Sequence, residues 1–204
     1  YGIGTNLTCF SFIQADEEKM ERLAEMRKKV ENAAGHTLEI VSGGNSAALD
    51  LMMRGGICEG VDNFRLGESL LFGKERSRYT FLPGTRNDGF ILECEVVEAK
   101  VKPSLPWGTA GGDSYGRKHG FTNRGEKRKK GICAIGRQDF DAETATPVDE
   151  GILILGASSD HLMLDVTDSV KEYKVGDIVE LRLGYFSVLR AFTSPYVEKI
   201  FLKK

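Results

Sequence analysis

The sequence lacks several features on which whole classes of protein depend. No apolar run approaches the roughly 20 residues that a membrane span requires, which excludes a membrane-spanning protein. The cysteines form no Cys-x-x-Cys pair and the three histidines are scattered, so neither a disulfide scaffold nor a zinc site is indicated. A net charge of only −2 argues against a nucleic-acid binder or a polybasic membrane anchor.

The sparse cysteines also indicate a cellular compartment. Unpaired cysteines behave as small hydrophobic residues in a reducing environment. We therefore expect a cytoplasmic protein in which all four thiols are buried: Cys9, Cys58, Cys94 and Cys133.

Glycine, by contrast, is abundant, at 24 of 204 residues. The first part of the chain alternates between helical and extended patterns. Residues 15–34 predict a helix that Asp16 caps and Gly35 ends. A strand over 38–41, a helix over 46–54, a strand and turn over 61–67 and a short helix over 69–72 follow. Such alternation predicts right-handed βαβ units and a parallel sheet.

The pattern changes after about residue 88. Short apolar strands predict an antiparallel β domain. Their predicted ranges are 90–97, 131–135, 151–155, 162–166, 178–183 and 196–201. The polar stretch 76–88 marks the boundary, which gives a first domain over 1–85 and a β domain over 86–204. We expect the basic run 124–130 to form a solvated loop.

Three polar segments follow the predicted strands of the first domain. They are Gly4-Thr5-Asn6, Ser42-Gly43-Gly44-Asn45-Ser46 and Phe64-Arg65-Leu66-Gly67-Glu68-Ser69. Ligands of parallel α/β proteins bind at the carboxyl ends of strands, where glycines and helix N-termini accommodate phosphate. The alternative for the second segment is a plain helix cap after a tight turn. For Arg65 it is a surface salt bridge to Asp62 or Glu68.

Two segments of the β domain carry further polar residues, Gly136-Arg137-Gln138-Asp139 and Ser158-Ser159-Asp160-His161. Contiguous serine, aspartate and histidine cannot form a catalytic triad, because neighbouring side chains of an extended chain point to opposite faces. The sequence also has no Gly-x-Ser-x-Gly element, so a hydrolase is disfavoured.

Taken in order, these motifs resemble the alanine racemase superfamily, and more closely its ornithine racemase-like branch. Further matching segments are Gly2–Cys9, Ala134–Asp139 and Thr193–Val197. The resemblance implies an amino-acid racemase that uses pyridoxal phosphate and acts on a substrate of ornithine or alanine type. It implies a (β/α)₈ barrel followed by a β domain. It also implies a head-to-tail homodimer that binds neither nucleic acid nor a membrane.

The resemblance also implies roles for cofactor-binding residues. Asn45 and Ser46, with the backbone of Gly67 and Glu68, would hold the cofactor phosphate. Arg65 would face the pyridine nitrogen; since arginine keeps its proton near neutral pH, the ring remains a weaker electron sink and prompt reprotonation at Cα is favoured. The remaining cofactor-binding candidates are Asn6 beside the ring, Ser42 in the second motif, and Tyr196, which would reach the phosphate from the last predicted strand.

The second catalytic base is where the sequence departs from the family. Arg137 stands where the family has a tyrosine, and arginine is a poor general base. Tyr115 is a possible substitute, and an alternative role for Arg137 is to bind the substrate carboxylate. Asp160 and His161 lie where the family approaches the substrate across the dimer, where either could contact a side-chain amine and His161 could carry a proton.

The other departure is one of length. A complete barrel takes about 250 residues, and about three βα units are recognisable here. We expect the chain to be the C-terminal part of such an enzyme, without the N-terminal half of the barrel and its Schiff-base lysine, and inactive alone. Two alternatives remain: a non-catalytic pyridoxal-phosphate carrier, which the β domain argues against, and a decarboxylase of the same architecture, which Arg65 argues against.

Overall fold

The computed structural model describes residues 1–112, 116, 118 and 120–203. The chain forms two compact units, residues 1–89 and 90–204. Among the described residues, no helix combines the length and apolar character that a transmembrane segment needs.

The first unit contains the predicted parallel sheet. Its strands are β1 (Gly2–Gly4), β2 (Ile40–Asn45) and β3 (Asn63–Arg65), in the order β1-β2-β3 with both pairings parallel. The helices are α1 (Thr8–Ser11), α2 (Glu17–Ala34), α3 (Leu49–Met53), which a 3₁₀ turn over Ser46–Ala48 precedes, and α4 (Glu68–Phe72). The prediction of βα units and a parallel sheet is confirmed.

Helix α2 begins and ends as its sequence predicts. The Asp16 side chain accepts a hydrogen bond of 3.0 Å from the Lys19 backbone N–H, and Gly35 ends the helix at φ 72°. The buried face of α2 contributes Met20 to a core with Val41 and Leu51. This packing fixes α2 against the sheet, because the apolar stripe must be covered.

Strand β2 is longer than predicted, and its glycines explain why. The strand continues through the second polar segment to Asn45. A β-carbon at Gly43 would lie 2.7 Å from the Phe64 ring, so glycine there permits close packing of β2 on β3. Gly44 has φ 125°, a backbone conformation that favours glycine. Gly43 therefore serves the packing of the sheet.

The second unit is a six-stranded antiparallel sheet in the order β6-β9-β4-β5-β8-β7. Its strands are β4 (Ile91–Pro103), β5 (Lys127–Cys133), β6 (Ala145–Pro147), β7 (Leu153–Ala157), β8 (Leu162–Asp165) and β9 (Ile178–Leu183), and helix α5 (Tyr185–Thr193) follows β9. Phe140, Leu162, Leu164 and Leu181 are fully buried in its core. The predicted antiparallel domain is confirmed.

Two expectations for individual segments were wrong, and one for the cysteines holds only in part. The basic run is not a loop throughout, because β5 begins at Lys127 and the Arg128 guanidinium binds Asp165 at 2.8 Å and Asp168 at 2.7 Å. No strand is found over 196–201, where the described backbone is irregular, and the helix α5 precedes this stretch instead. The burial expected for all four cysteines holds only in part. Cys94 and Cys133 are buried, Cys58 is half-buried and Cys9 is exposed.

Candidate functional site

The polar segments of the first unit meet at one edge of the sheet. Gly4 is paired with Ser42, and Asn45 with Arg65, at the carboxyl ends of the three parallel strands. The residues that follow these strands, Thr5 to Asn6, Ser46, and Leu66 to Ser69, therefore lie side by side. This is the edge at which α/β proteins bind ligands.

Ser46 lies at the centre of this edge. Its hydroxyl oxygen accepts hydrogen bonds from the backbone N–H of Ser69 at 3.2 Å and of Gly67 at 3.4 Å, and lies 3.1 Å from the Ser69 hydroxyl. Ser46 and Ser69 are 5% and 4% exposed. The hydroxyl thereby connects β2 to the first turn of α4. A β-carbon at Gly67 would meet no atom within 4 Å, so this turn faces open space.

Asn45 is held by both ends of its side-chain amide. Its oxygen accepts from the Ala47 backbone N–H at 2.9 Å and caps the 3₁₀ turn. Its nitrogen donates to the Asn6 side-chain oxygen at 3.1 Å and lies 3.3 Å from the Cys9 sulfur. The amide therefore bridges the segments that follow β1 and β2. Its oxygen also forms the helix cap that was the alternative for this motif.

Arg65 spans the ends of the two other strands. One guanidinium nitrogen donates to the Ser42 hydroxyl at 2.5 Å and the other to the Thr5 carbonyl oxygen at 2.8 Å. The salt bridge considered from the sequence is absent among the described ion pairs: Glu68 binds Arg76 at 2.5 Å instead. Arg65 thus places a fixed positive charge at the carboxyl edge of the sheet, because its planar guanidinium can donate two hydrogen bonds at once.

The two polar segments of the second unit also lie together. The backbone N–H of Arg137 donates to Ser158 O at 2.8 Å, and that of Gln138 to Ser159 O at 3.2 Å. A β-carbon at Gly136 would lie 2.1 Å from Ser159 O, so only glycine permits this approach. The structure therefore joins the predicted site residues Arg137, Asp160 and His161 in one cluster.

Side chains in this cluster are held to different degrees. The Arg137 guanidinium donates to Ala157 O at 2.9 Å and lies 3.7 Å from the Glu143 carboxylate. Asp160 and His161 are exposed, with Asp160 accepting from the Ser159 hydroxyl at 2.6 Å. Tyr196 also belongs to this unit and is 78% exposed. Tyr115 lies outside the described residues.

Sequence reasoning missed three contributors to the first-unit edge: the Thr5 carbonyl, the Ser69 hydroxyl and Arg76. Ser69 had a readable signal, because it ends the third polar segment and begins the predicted helix 69–72. A backbone carbonyl and an arginine eight residues from its partner leave no such pattern. Within the described ranges, no group of three or more histidine, cysteine or acidic residues is placed to hold a metal ion.

Parallel βα units followed by an antiparallel β unit define a class: barrel proteins that carry an added β domain. A solved alanine racemase from Bartonella henselae shares this fold, with a TM-score of 0.54 and 19% identity over 88% of this chain and 46% of its own. The present chain corresponds to the C-terminal part of a (β/α)₈ barrel followed by an antiparallel β domain.

Curated relatives are much closer in sequence. An ornithine racemase of Acetoanaerobium sticklandii is 45% identical over 198 residues, which are 97% of this chain and 56% of that protein. A lysine racemase of Thermotoga maritima is 44% identical over 200 residues, which are 98% of this chain and 56% of that protein. No protein-family model matches.

The chain is similar in sequence to the ornithine and lysine racemases and shares its fold with a solved alanine racemase. It spans about half the length of these curated relatives, and the part it matches is their C-terminal part.

Proposed function

We propose that this chain is the C-terminal portion of a pyridoxal-phosphate-dependent racemase that interconverts the enantiomers of a basic amino acid. The observation that carries the proposal is the meeting of Ser46, Asn45 and Arg65 at the carboxyl edge of the sheet, in a chain 44–45% identical to two racemases. Those relatives are named for ornithine and lysine, which gives the substrate class.

The donor set fits the phosphate group. The Gly67 and Ser69 N–H groups donate to the Ser46 oxygen only over 3.4 and 3.2 Å. A phosphate in the open space above Gly67 would compete for them beside the Ser46 hydroxyl and the Asn45 amide. Hydrogen-bond donors at such a turn suit an anion. Residues 1–85 would accordingly form the cofactor-binding βα units, with Asn6 and Ser42 beside the ring.

Arg65 would face the pyridine nitrogen. When bound, the cofactor withdraws electrons from the substrate and makes its Cα proton more acidic. Arg65 keeps its own proton and is fixed by Ser42 and Thr5, so it can donate a hydrogen bond to the pyridine nitrogen without protonating it. This moderates the electron withdrawal and favours return of the proton to Cα.

The second-unit cluster would supply the substrate contacts, reaching the partner subunit's cofactor in a head-to-tail homodimer. Arg137 stays protonated, so it suits a substrate carboxylate better than a Cα proton. Asp160 would accept from the terminal ammonium group of the substrate, and His161 would carry a proton. Tyr115 and Tyr196 remain candidates for the second base and for a phosphate contact. A cytoplasmic location accords with this function.

The proposal is tested on the protein that contains this chain, loaded with pyridoxal phosphate. We expect interconversion of L- and D-ornithine or lysine, followed by chiral chromatography, with no release of carbon dioxide. Cofactor binding without racemisation of any amino acid in a panel would point to a carrier. Carbon dioxide release would point to a decarboxylase, and either result would contradict the proposal.

A matched pair of serine variants tests the site itself. Ser46→Ala removes the hydroxyl at the ligand edge, whereas Ser11→Ala removes an exposed hydroxyl that donates to Leu7 O in α1. We expect Ser46→Ala to weaken cofactor binding about tenfold, as loss of one charge-assisted hydrogen bond would, and Ser11→Ala to leave it unchanged. Equal affinities for both variants would remove Ser46 from the site.

A further inference from the structure

An acidic side chain lies at the edge where the proposed function places a phosphate. Glu68 is in the first turn of α4, between Gly67 and Ser69, whose N–H groups bind the Ser46 hydroxyl. Its side chain is only 13% exposed. A carboxylate so shielded from water would repel a phosphate dianion, because screening by solvent is weak there.

Arg76 offsets this charge. Its guanidinium donates to the Glu68 carboxylate at 2.5 Å, and its side chain is 30% exposed. The pair is thus more shielded than an ordinary surface ion pair, which contributes little. Burial alone would lower the pKa of Arg76, yet its hydrogen bond to Glu68 and the nearby charges raise it.

The position of Arg76 is fixed by a small hairpin, residues 74–81. The Glu75 carboxylate, 2% exposed, accepts from the backbone N–H groups of Ser77 at 2.6 Å and Arg78 at 2.8 Å. The Glu75 N–H donates to Thr80 O at 2.8 Å and closes the turn. The Arg76 guanidinium also lies 5.6 Å from the centre of the Tyr79 ring. The hairpin therefore holds this arginine in one place.

We propose that Arg76 is a positioning residue of the phosphate site: it holds the Glu68 carboxylate and neutralises its charge, so that a phosphate can bind beside Gly67. The inference rests on the proposed function. It gives the hairpin 74–81 a role. The affinity of the first unit for a phosphorylated ligand would then depend on residues that do not have to touch that ligand.

The test compares pyridoxal phosphate with pyridoxal, which lacks only the phosphate, as ligands of the cofactor-free protein that contains this chain. The variants are Arg76→Gln, Glu68→Gln and both together. Arg78→Gln is the matched control, because Arg78 lies on the same hairpin and pairs with Asp50 at 3.3 Å. Thermal unfolding of each variant records whether it is folded.

We expect Arg76→Gln to weaken binding of pyridoxal phosphate about tenfold, equivalent to about 1.4 kcal/mol, with little change for pyridoxal. The double variant should return to within about threefold of the original affinity, since the repelling carboxylate is gone. The Arg78→Gln control should bind both ligands normally.

Two results would overturn the inference alone: unchanged binding of pyridoxal phosphate by Arg76→Gln, or failure of Glu68→Gln to rescue it. The second result would mean that Arg76 acts by direct contact or only through folding. If the unaltered protein does not bind pyridoxal phosphate, the proposed function itself fails, which is a different observation from either of these.

Discussion

The buried hydrogen bonds between Ser46 and Ser69 predict how much stability the first unit loses when the Ser46 hydroxyl is removed. Replacing Ser46 with alanine removes the acceptor of the Ser69 and Gly67 N–H groups and the neighbour of the Ser69 hydroxyl. Ser69 is 4% exposed, so water replaces these bonds poorly. A buried donor left without a partner costs about 1–3 kcal/mol, and the long bonds of 3.2 and 3.4 Å place this case near about 1.5 kcal/mol.

The assay is urea unfolding of the protein that contains this chain, compared with Ser11→Ala. With a slope of about 2 kcal/mol per molar urea, the expected loss moves the midpoint of the first unit's transition down by about 0.7 M. The Ser11→Ala midpoint should not move, since that hydroxyl is exposed. A Ser46→Ala shift below about 0.2 M would refute the reasoning that this hydroxyl connects β2 to α4.

Three further predictions follow from single residues. Arg65→Lys should lower kcat for racemisation about tenfold or more, because a lysine cannot span both anchors of the guanidinium; an unchanged kcat would contradict the assigned role. Gly136→Ala should destabilise the second unit by about 2 kcal/mol, measured by thermal unfolding, because its β-carbon would lie 2.1 Å from Ser159 O; an unshifted midpoint would contradict the close approach. Burial raises the pKa of Asp165, but its hydrogen bond from Arg128 and those from Thr167 lower the pKa below its usual 3.8. The stability that Asp165 contributes is therefore present above pH 3.8 and lost as the pH falls below it, so Asp165→Asn should flatten the acid limb of the unfolding curve below pH 3.8; an equally steep limb would contradict this.

The elements with local signals were predictable from sequence. Helix α2 carries its own cap at Asp16 and its own stop at Gly35, so its bounds follow from neighbouring residues. The parallel order of the first sheet follows from the alternation of helices and strands. Strand β9 matches its predicted range, because its alternating pattern places Val179 and Leu181 in the core.

Elements that depend on distant partners were not predictable. The residues of α5 are aromatic and β-branched, which locally favours a strand. The structure instead buries Ser187 in the helix, where its hydroxyl donates to Asp141 O, 46 residues earlier. Likewise Lys127–Lys130 reads locally as a charged loop, but pairing with β4 makes it a strand, and Arg128 finds Asp165 on β8.

The candidate site shows the same division. Asn45, Ser46 and Arg65 could be identified because each lies in a polar segment at the carboxyl end of a predicted strand. Their partners could not, because the Ser46–Ser69 and Arg65–Thr5 bonds join residues 23 and 60 positions apart. Local motifs thus indicated a candidate edge for a ligand, and only the fold revealed how the residues of that edge are held.

The central claim is that the protein that contains this chain removes and returns the Cα proton of an amino acid. The most direct measurement is incubation of L-ornithine and L-lysine with the cofactor-loaded protein in deuterium oxide, followed by mass spectrometry and chiral separation. We expect deuterium at Cα in the D-enantiomer formed, with the amino and carboxyl groups retained. Failure of every amino acid tested to exchange its Cα hydrogen, or exchange accompanied by loss of the carboxylate, would contradict it.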